Sequence, residues 1–340
     1  MKDRLKAWSR TAVVVGALVS AAGAASAQEF TLRWGHYLPN SGFVQIEKDF
    51  AEKIKERTDG RVEIEITFAG GLGKGPEVAT LAGRGAIDMA SVAPGYYPEQ
   101  LLFWKAYQIP FVFDDPVQAI DVLTRSYQEF PIFEAELDRM NVRHLFHQPL
   151  GSYYLTGPSP DCTSVASLEG KKIRSFGADV PKLHNAIGAV PVTVAPTEVY
   201  EALQRGTIDY SFLNAGNIES LRLYEPGKHN CGPIMTITGH LIIIGNRTWA
   251  KLPEDIQEIF LDQAKKTQQA YLEWVMEGDQ ESIAVIKENG GTFHAFPEEE
   301  MAKWQDATPD LLQAWAEETG ARGFEAAAKE VAEAWREWTQ

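Results

Sequence analysis

The side chains that could perform covalent chemistry do not fall into a catalytic pattern. A serine hydrolase would need a presented nucleophile, but the sequence contains no Gly-x-Ser-x-Gly turn. Neither cysteine lies in a reactive-site pattern. The glycine-rich stretch of residues 70–75 matches neither the Walker nor the dinucleotide pattern, because Lys74 is followed by Gly75 and then by Pro76. A periplasmic enzyme is therefore only a remote alternative, and we expect the chain to have no enzymatic activity.

Metal binding is not predicted either. The seven histidines are scattered, and only His144 and His147 are close in the sequence. In a regular strand, residues three apart point to opposite faces of the sheet. We therefore do not expect these two side chains to share a zinc ion, and we expect no metal and no cofactor.

The charge of the chain excludes one class of partner. The 340 residues include 32 basic and 47 acidic side chains and have a formal net charge of −15. Such a charge repels the phosphate backbone of nucleic acids and anionic lipid surfaces. We therefore expect no nucleic acid as a partner, although the charge does not identify a ligand.

The first 27 residues have the layout of a secretory signal peptide. A positively charged start, residues 2–10, precedes an apolar run over residues 11–24 and the small-residue site at 25–27. The run is too short and too rich in alanine and glycine for a membrane anchor. We expect cleavage after Ala27 and a periplasmic protein.

Export determines the redox environment of the two cysteines, Cys162 and Cys231. The periplasm is oxidising, so a disulfide bond between them can persist. We therefore predict a Cys162–Cys231 bridge. Two unpaired thiols are the alternative.

Strand and helix patterns alternate along the first part of the chain. Residues 30–34 and 62–68 alternate apolar and polar side chains as half-buried strands do, and residues 46–54 between them step by four as an amphipathic helix does. A short helix from Pro76 follows. This order predicts an α/β lobe with mostly parallel strands.

An internal repeat predicts a second lobe of the same kind. Residues 77–88 align with residues 198–209, and six of the twelve aligned positions are identical. Each copy follows a strand-like segment, so the pattern indicates two lobes built on one strand, helix and strand unit. Chance similarity between common α/β units is the alternative. Ligands of such sheets bind beyond the carboxyl ends of the strands, so two facing lobes would form a cleft.

The remaining patterns complete the two-lobed outline. The apolar run of residues 239–245 is typical of a strand buried inside a sheet. Residues 253–287 read as one helix of about 50 Å, which is longer than one lobe needs, so we expect it to span both lobes. The tryptophan-rich tail after it predicts amphipathic helices packed on the outside.

Three segments together resemble the solute-binding subunits of tripartite ATP-independent periplasmic (TRAP) transporters, the DctP type. They are Gly170-Lys171-Lys172-Ile173-Arg174, residues 188–191 and the repeat copy at 196–209, and the likeness extends to residues 84–89 and the long helix. The resemblance implies a two-lobed periplasmic binding protein fold of the α/β class, with crossing strands and one long helix spanning both lobes. It also implies that the partners are a small-molecule ligand and the two membrane subunits of the permease.

The resemblance assigns roles to particular residues. Arg174 occupies the position of the family's arginine that pairs with a ligand carboxylate, although a surface arginine at a strand end is the alternative. Asn214 stands where the family places a ligand-binding asparagine, with a turn residue as the alternative. Tyr153 stands where the family often has a second arginine. That exchange removes a positive charge and favours a monocarboxylate or a ligand with an amine.

Several other side chains are candidates for the walls of the cleft. Aromatic rings near the predicted strand ends could stack on a ligand or attract a cation, although each could equally belong to the core; they are Tyr96, Tyr97, Trp104, Tyr153, Tyr154, Phe176 and Phe212. Of these we select Tyr97, Tyr153, Phe176 and Phe212. Glu77 could hold an amine or a hydroxyl group, or cap the helix that follows it.

The predicted organisation follows from these patterns. After the signal peptide, residues 28–150 and 240–279 form the first lobe, residues 151–239 and 280–325 the second, and residues 326–340 a helical tail. The predicted function is capture of a small organic acid, a monocarboxylate rather than a dicarboxylate, and its delivery to the permease. The same role for an ethanolamine-like or ectoine-like ligand is the alternative.

Overall fold

The structure is a computed structural model that describes residues 28–340. The predicted signal peptide, residues 1–27, lies outside the described residues. Within 28–340 the strands are β1 (Phe30–Gly35), β2 (Val62–Thr67), β3 (Met89–Val92), β4 (Val142–Pro149), β5 (Tyr153–Gly157), β6 (Lys172–Ser175), β7 (Val190–Thr193), β8 (Ser211–Asn214), β9 (His229–Cys231), β10 (Thr238–Gly245) and β11 (Thr292–His294).

Helices alternate with these strands and cover the outside of the sheets. The α-helices are α1 (Gln45–Arg57), α2 (Val78–Arg84), α3 (Pro116–Glu129), α4 (Pro131–Arg139), α5 (Val165–Leu168), α6 (Val180–Ala186), α7 (Val199–Gln204), α8 (Ala215–Ser220), α9 (Asn246–Trp249), α10 (Glu254–Glu288), α11 (Glu298–Ala307), α12 (Leu311–Thr319) and α13 (Glu325–Trp338). Among the described residues, no helix is both long enough and apolar enough to cross a membrane.

The first lobe is built on a five-stranded sheet with the order β2-β1-β3-β10-β4. Strands β1, β2 and β3 are parallel, and β10 runs antiparallel to β3 and β4. Strand β10 is buried along its whole length, as its apolar run predicts. Leu241 and Ile243 pack into one hydrophobic cluster, whereas Ile242 and Ile244 pack into another on the opposite face. Burial on both faces explains why this strand lacks polar alternation.

The second lobe contains a four-stranded sheet with the order β11-β9-β5-β8. The parallel pair β6 and β7 joins it through a bridge between Ile173 and Tyr210, beside β8. The predicted disulfide bond between Cys162 and Cys231 is present, with both residues fully buried. It ties the turn after β5 to β9, which pairs with β5.

The internal repeat corresponds to a repeated unit in the structure. The first lobe contains the strand order β2-β1-β3, and the second contains the equivalent order β7-β6-β8. A side-chain hydrogen bond is also repeated in the two units. In the first lobe the Asp88 carboxylate accepts from the Arg33 N–H group at 2.8 Å. In the second lobe the Asp209 carboxylate accepts from the Lys172 N–H group, also at 2.8 Å. The shared unit is therefore structural and not a chance similarity.

Helix α10 is the predicted long helix, and it packs on both lobes. The Gln263 side chain accepts a hydrogen bond from Arg57 of α1 in the first lobe, at 3.0 Å. Farther along, the Ser282 hydroxyl donates to Glu219 of α8 in the second lobe, at 2.6 Å. One rigid element thus connects the two halves of the molecule.

The C-terminal helices bury the tryptophans of the tail. Trp304 of α11 packs into the core of the second lobe, whereas Trp315 of α12 and Trp335 of α13 stack on each other inside a cluster of the first lobe. All three side chains are fully buried. The polar faces of these helices remain exposed, as an amphipathic pattern predicts.

Candidate functional site

A cavity lies between the two lobes at the carboxyl ends of their strands. Its volume is about 40 Å³, which is room for about three water molecules. The cavity is therefore compact. Its lining comes from both lobes and comprises Tyr37, Leu38, Phe43, Ala93, Tyr96, Gln108, Gln148, Leu150, Tyr153, Arg174, Phe176, Pro196, Leu213, Asn217 and Gly239.

The repeated unit explains why residues so distant in sequence meet here. Tyr37 follows β1 and Phe176 follows β6, the corresponding first strands of the two repeats. Tyr96 follows β3, and Asn217 follows β8. Because the carboxyl ends of parallel strands share one edge of a sheet, each lobe presents the same edge to the cavity.

Arg174 is the charged residue in the wall of this cavity. It lies in β6 and is only 2% exposed. Its Nε donates to the Val194 carbonyl at 3.2 Å, and its Nη1 donates to the Phe212 carbonyl at 3.3 Å. The guanidinium group also lies over the Phe176 ring, 4.6 Å from its centroid. These contacts fix the orientation of the side chain.

The positive charge of Arg174 has no acidic partner within residues 28–340. The contacts that residues 28–340 give its guanidinium group are carbonyls, the Phe176 ring and the Tyr96 hydroxyl. A guanidinium group has five N–H donors, so several remain for another molecule. A buried charge without a counter-charge is costly, and an anion at this place would relieve that cost.

The other walls are aromatic rings and amides, without a carboxylate. Tyr37, Tyr96 and Tyr153 surround the space with their rings, and burial raises the pKa of all three hydroxyl groups. They therefore remain neutral hydrogen-bonding groups. None of the lining residues is an aspartate or a glutamate.

Two of the amides are already engaged. The Gln108 Oε1 accepts from the Gly95 N–H group at 2.8 Å, and its Nε2 donates to the Gly239 carbonyl at 3.1 Å. The Gln148 Nε2 donates to the Phe43 carbonyl at 3.4 Å. These bonds hold both side chains at the wall of the cavity and leave one face of each amide toward it.

The structure places three of the selected candidates in the wall and Asn214 directly behind it. Arg174, Tyr153 and Phe176 line the cavity. Asn214 instead occupies the N-cap of α8, where its Oδ1 accepts from the backbone N–H of Asn217 at 3.0 Å and from the Asn217 side chain at 2.8 Å. Asn214 therefore positions the side-chain amide of Asn217, which lines the cavity.

The structure places the three other candidates away from the cavity. Glu77 is exposed, and its carboxylate accepts from the Lys74 N–H group, which closes the turn before α2. The Tyr97 hydroxyl donates to Gly75 and is held in the first lobe's core. The Phe212 side chain packs beneath Tyr153, with ring centroids 5.2 Å apart, so only its carbonyl reaches Arg174.

Sequence patterns missed Tyr37, Gln108, Gln148 and Asn217. Tyr37 carried a usable signal, because it follows the first strand of the first repeat just as Phe176 follows that of the second. Gln108 lies at the end of the short 3₁₀ helix Trp104–Gln108, which is too brief for a sequence periodicity to indicate which way a side chain points. Tyr96 was among the aromatic candidates, and it approaches closely because the residue facing its ring is Gly75.

The expectation that His144 and His147 point to opposite faces of the sheet is wrong. Their rings lie on the same side of β4, with His144 Nε2 3.2 Å from His147 Nδ1. The pairing of β4 with β10 shifts by one residue between Phe146 and His144, and such a bulge breaks the alternation of a regular strand. Burial lowers the pKa of both imidazole groups, so the two form a neutral hydrogen-bonded pair.

The chain crosses between the lobes beside a half-buried carboxyl group. Gly151 lies between β4 and β5, and an ideal Cβ at this position would be 1.8 Å from Asp279 Oδ2 of α10. The Asp279 carboxylate accepts a hydrogen bond from the Ser152 N–H group, and burial raises its pKa to about 6. Helix α10 therefore contacts the crossing segment so closely at Gly151 that this position has no room for a side chain.

Asp279→Asn is expected to stabilise the protein above pH 6 and not at pH 4. The pKa of Asp279 is about 6 when folded, against 3.8 for an unperturbed group, so the folded state binds more protons between these values. Stability therefore falls as the pH rises through that window. Asparagine keeps the acceptor without the charge, so the expected gain at pH 7 is up to about 3 kcal/mol.

Urea unfolding at pH 4, 5, 6 and 7 measures this difference. The control is Asp306→Asn, which removes an exposed carboxylate and should give the same difference at every pH. If the free energy of unfolding of Asp279→Asn is lowered equally at all four pH values, the raised pKa assigned to Asp279 is contradicted.

Comparisons with known proteins agree with this architecture. The family model for bacterial extracellular solute-binding proteins, family 7 (DctP), matches residues 36–319. The C4-dicarboxylate-binding periplasmic protein DctP of Rhodobacter capsulatus is 24% identical over 332 residues, which are 94% of this chain and 98% of that protein.

Two solved structures have the same fold. A solute receptor of Bordetella pertussis that binds pyroglutamic acid superposes with a TM-score of 0.82 at 20% identity, covering 90% of this chain and 99% of the receptor. A TRAP periplasmic solute-binding protein of Desulfovibrio salexigens with bound orotic acid superposes with a TM-score of 0.79 at 21% identity, covering 91% of this chain and 98% of that protein.

Proposed function

This chain belongs to family 7 of the bacterial extracellular solute-binding proteins, and we propose that it is the receptor for a small organic acid with a single carboxylate group. The family consists of periplasmic receptors for transport and not of enzymes. The observation that carries the proposal is the buried guanidinium group of Arg174, whose contacts in the described chain include no carboxylate. A carboxylate fits its planar N–H donors with two charge-assisted hydrogen bonds.

A single positive charge supports a monocarboxylate over a dicarboxylate. Arg174 is the one arginine or lysine among the lining residues, and Tyr153 lines the wall where a second arginine would neutralise a second carboxylate. A buried carboxylate without a counter-charge is strongly disfavoured. The relative from Rhodobacter capsulatus is named for C4-dicarboxylates. Because the two chains are only 24% identical, we base the ligand class on the residues that line this cavity.

The same composition disfavours an amine. An ammonium group in a closed cavity needs a carboxylate partner, and the lining residues include none. Glu77, the acid considered for that role, is exposed and bonded to the Lys74 N–H group. Aromatic rings attract cations, but Arg174 at the same wall would repel one.

The walls also suggest the shape of the acid. The rings of Tyr37, Tyr96 and Tyr153 favour a flat body, and the amide of Asn217 can bond a carbonyl, hydroxyl or ring N–H group. Pyroglutamate and orotate are compact acids of this kind, and each is bound by a structural neighbour. We therefore propose a ring-shaped or planar monocarboxylate as the ligand class.

Capture is proposed to work by closure of the lobes. The wall contains residues of both sheets, so a ligand that contacts both stabilises the closed arrangement. In the structure the two lobes meet above the cavity, where Gly95 and Gly177 approach closely. The closed form would then be recognised by the two membrane subunits of a TRAP transporter.

A thermal-shift panel tests the ligand class. Pyroglutamate, orotate, benzoate, succinate, ethanolamine and ectoine are each added to purified mature protein, and hits are measured by calorimetry. We expect shifts with one or more of the three monocarboxylates, a weaker shift with succinate and none with ethanolamine or ectoine. Stabilisation by ethanolamine alone, or tighter binding of succinate than of every monocarboxylate, would contradict the proposal.

A further inference from the structure

A fully buried cluster of ionisable groups lies directly behind the cavity. His36 follows β1, Glu47 lies in α1 and His240 lies in β10, and all three are 0–1% exposed. The His240 Nε2 contacts the Glu47 Oε1, and the His36 Nε2 lies 3.7 Å from the same oxygen. The other ring nitrogen of His240 is 3.5 Å from the hydroxyl of Tyr37, which lines the cavity.

The donor set resembles a metal site, but the hydrogen bond to His36 argues against one. Their ligand atoms lie within 4.8 Å of one another. However, the Leu38 N–H group donates to the His36 Nδ1 at 3.0 Å, so that nitrogen carries the lone pair. The proton of a neutral His36 must therefore be on Nε2, which faces Glu47. A protonated nitrogen cannot ligate a metal.

The charge of this cluster can be assigned from its contacts. Burial by itself would raise the pKa of Glu47, but the contact with His240, and to a lesser extent the proximity of His36, holds this pKa far below its usual range, so Glu47 is an anion. Burial lowers the pKa of His36, which stays neutral. Burial keeps the nearby Tyr271 hydroxyl protonated by raising its pKa. A buried carboxylate needs a counter-charge, and His36 cannot carry it, because its Nδ1 accepts the hydrogen bond from the Leu38 N–H group.

A positive charge on His240 would decide which way the Tyr37 proton points. Both ring nitrogens of an imidazolium group are donors, so Nδ1 donates to the Tyr37 oxygen while Nε2 donates to Glu47. The Tyr37 proton is then free to point into the cavity. With a neutral His240, Nδ1 would accept that proton and Tyr37 would present only lone pairs, which repel a carboxylate.

We propose that Glu47 and His240 form a buried ion pair that positions the Tyr37 hydroxyl as a second hydrogen-bond donor to the bound acid, beside Arg174. Tyr37 would contact the ligand, and Glu47 and His240 would act through it as positioning residues. This inference rests on the proposed function, because the benefit of a second donor depends on an anionic ligand. It adds selectivity for acids without adding a second charge to the wall.

Histidine NMR tests the charge of the pair without any ligand. The ¹⁵N signals of the imidazole groups are recorded in the ligand-free protein at pH 7 and assigned with His36→Gln and His240→Gln. We expect an imidazolium signature for His240 and a neutral ring with its proton on Nε2 for His36. In Glu47→Gln, His240 should become neutral. A neutral His240 in the unchanged protein would overturn the proposal, whatever the ligand is.

A double-mutant cycle tests whether the pair acts through Tyr37. The probe is the tightest-binding acid of the six-compound panel. Tyr37→Phe and Glu47→Gln are each expected to weaken its binding by about tenfold to a hundredfold, the range for a hydrogen bond to a charged group. The double variant should bind within about twofold of Tyr37→Phe alone, because Glu47 has nothing left to position. Additive losses would overturn the proposal.

Two further measurements separate the alternatives. Tyr271→Phe removes a hydroxyl group near Glu47 that does not reach the cavity lining, and it should leave acid binding within about twofold. Zn²⁺ titration of the unchanged protein should give no binding that depends on His240, and such binding would assign the cluster to a metal instead. If no acid of the panel binds, the proposed function fails, whereas the NMR result still decides the charge of the pair.

Discussion

Arg174→Ala is expected to weaken binding of the best monocarboxylate by at least a hundredfold. The variant would leave a carboxylate in a closed cavity without its counter-charge, and breaking such a desolvated pair costs on the order of 3–5 kcal/mol. Arg174→Lys retains the charge but loses the planar fork and its contact with the Phe176 ring, so we expect an intermediate loss. Isothermal titration calorimetry measures both.

The matched control is Arg205→Ala. Arg205 is exposed and forms an ion pair with Glu201 one helical turn away, at 2.6 Å. Its removal should change affinity by less than about twofold, since exposed pairs contribute little. Thermal unfolding of each ligand-free variant shows whether it is folded. Unchanged affinity in folded Arg174→Ala would refute the role assigned to this residue and, with it, the proposed ligand class.

Removing the disulfide bond is expected to lower the free energy of unfolding by about 4 kcal/mol. Cys162 and Cys231 are 69 residues apart, and closing a loop of this length restricts the unfolded chain by about that amount in the chain-entropy model. The variant is Cys162→Ala with Cys231→Ala, and urea unfolding measures the loss. The bond ties β9 to the turn after β5, the strand that begins with Tyr153, so ligand affinity should fall as well.

Reduction provides the control for this prediction. Dithiothreitol should destabilise the unchanged protein by a similar amount and leave the double alanine variant unaffected. An effect of dithiothreitol on the variant would point to a cause other than the disulfide. A variant as stable as the unchanged protein would show that the bond contributes little beyond the packing of the two buried sulfur atoms.

The sequence by itself determined the elements and their duplication. Periodicity identified β10 and α10 because a strand buried on both faces and a helix in contact with both lobes leave long, regular apolar patterns. The copies at 77–88 and 198–209 indicated two equivalent lobes because each encodes the same local unit. Arg174 could be selected because the resemblance places an arginine that pairs with a ligand carboxylate at this position, whereas its place near a strand end by itself favoured a surface residue.

Only the tertiary structure decided which side chains share the cavity. Tyr97 and Phe212 are aromatic residues near strand ends, as Tyr96 and Tyr153 are, yet the first two side chains pack into the cores. A one-residue bulge in β4 reverses the facing of His144, and no local pattern encodes it. Glu47 and His240 are 193 residues apart, so their contact becomes visible only after folding. Elements depend on neighbours in sequence, whereas a site depends on which distant surfaces pack together.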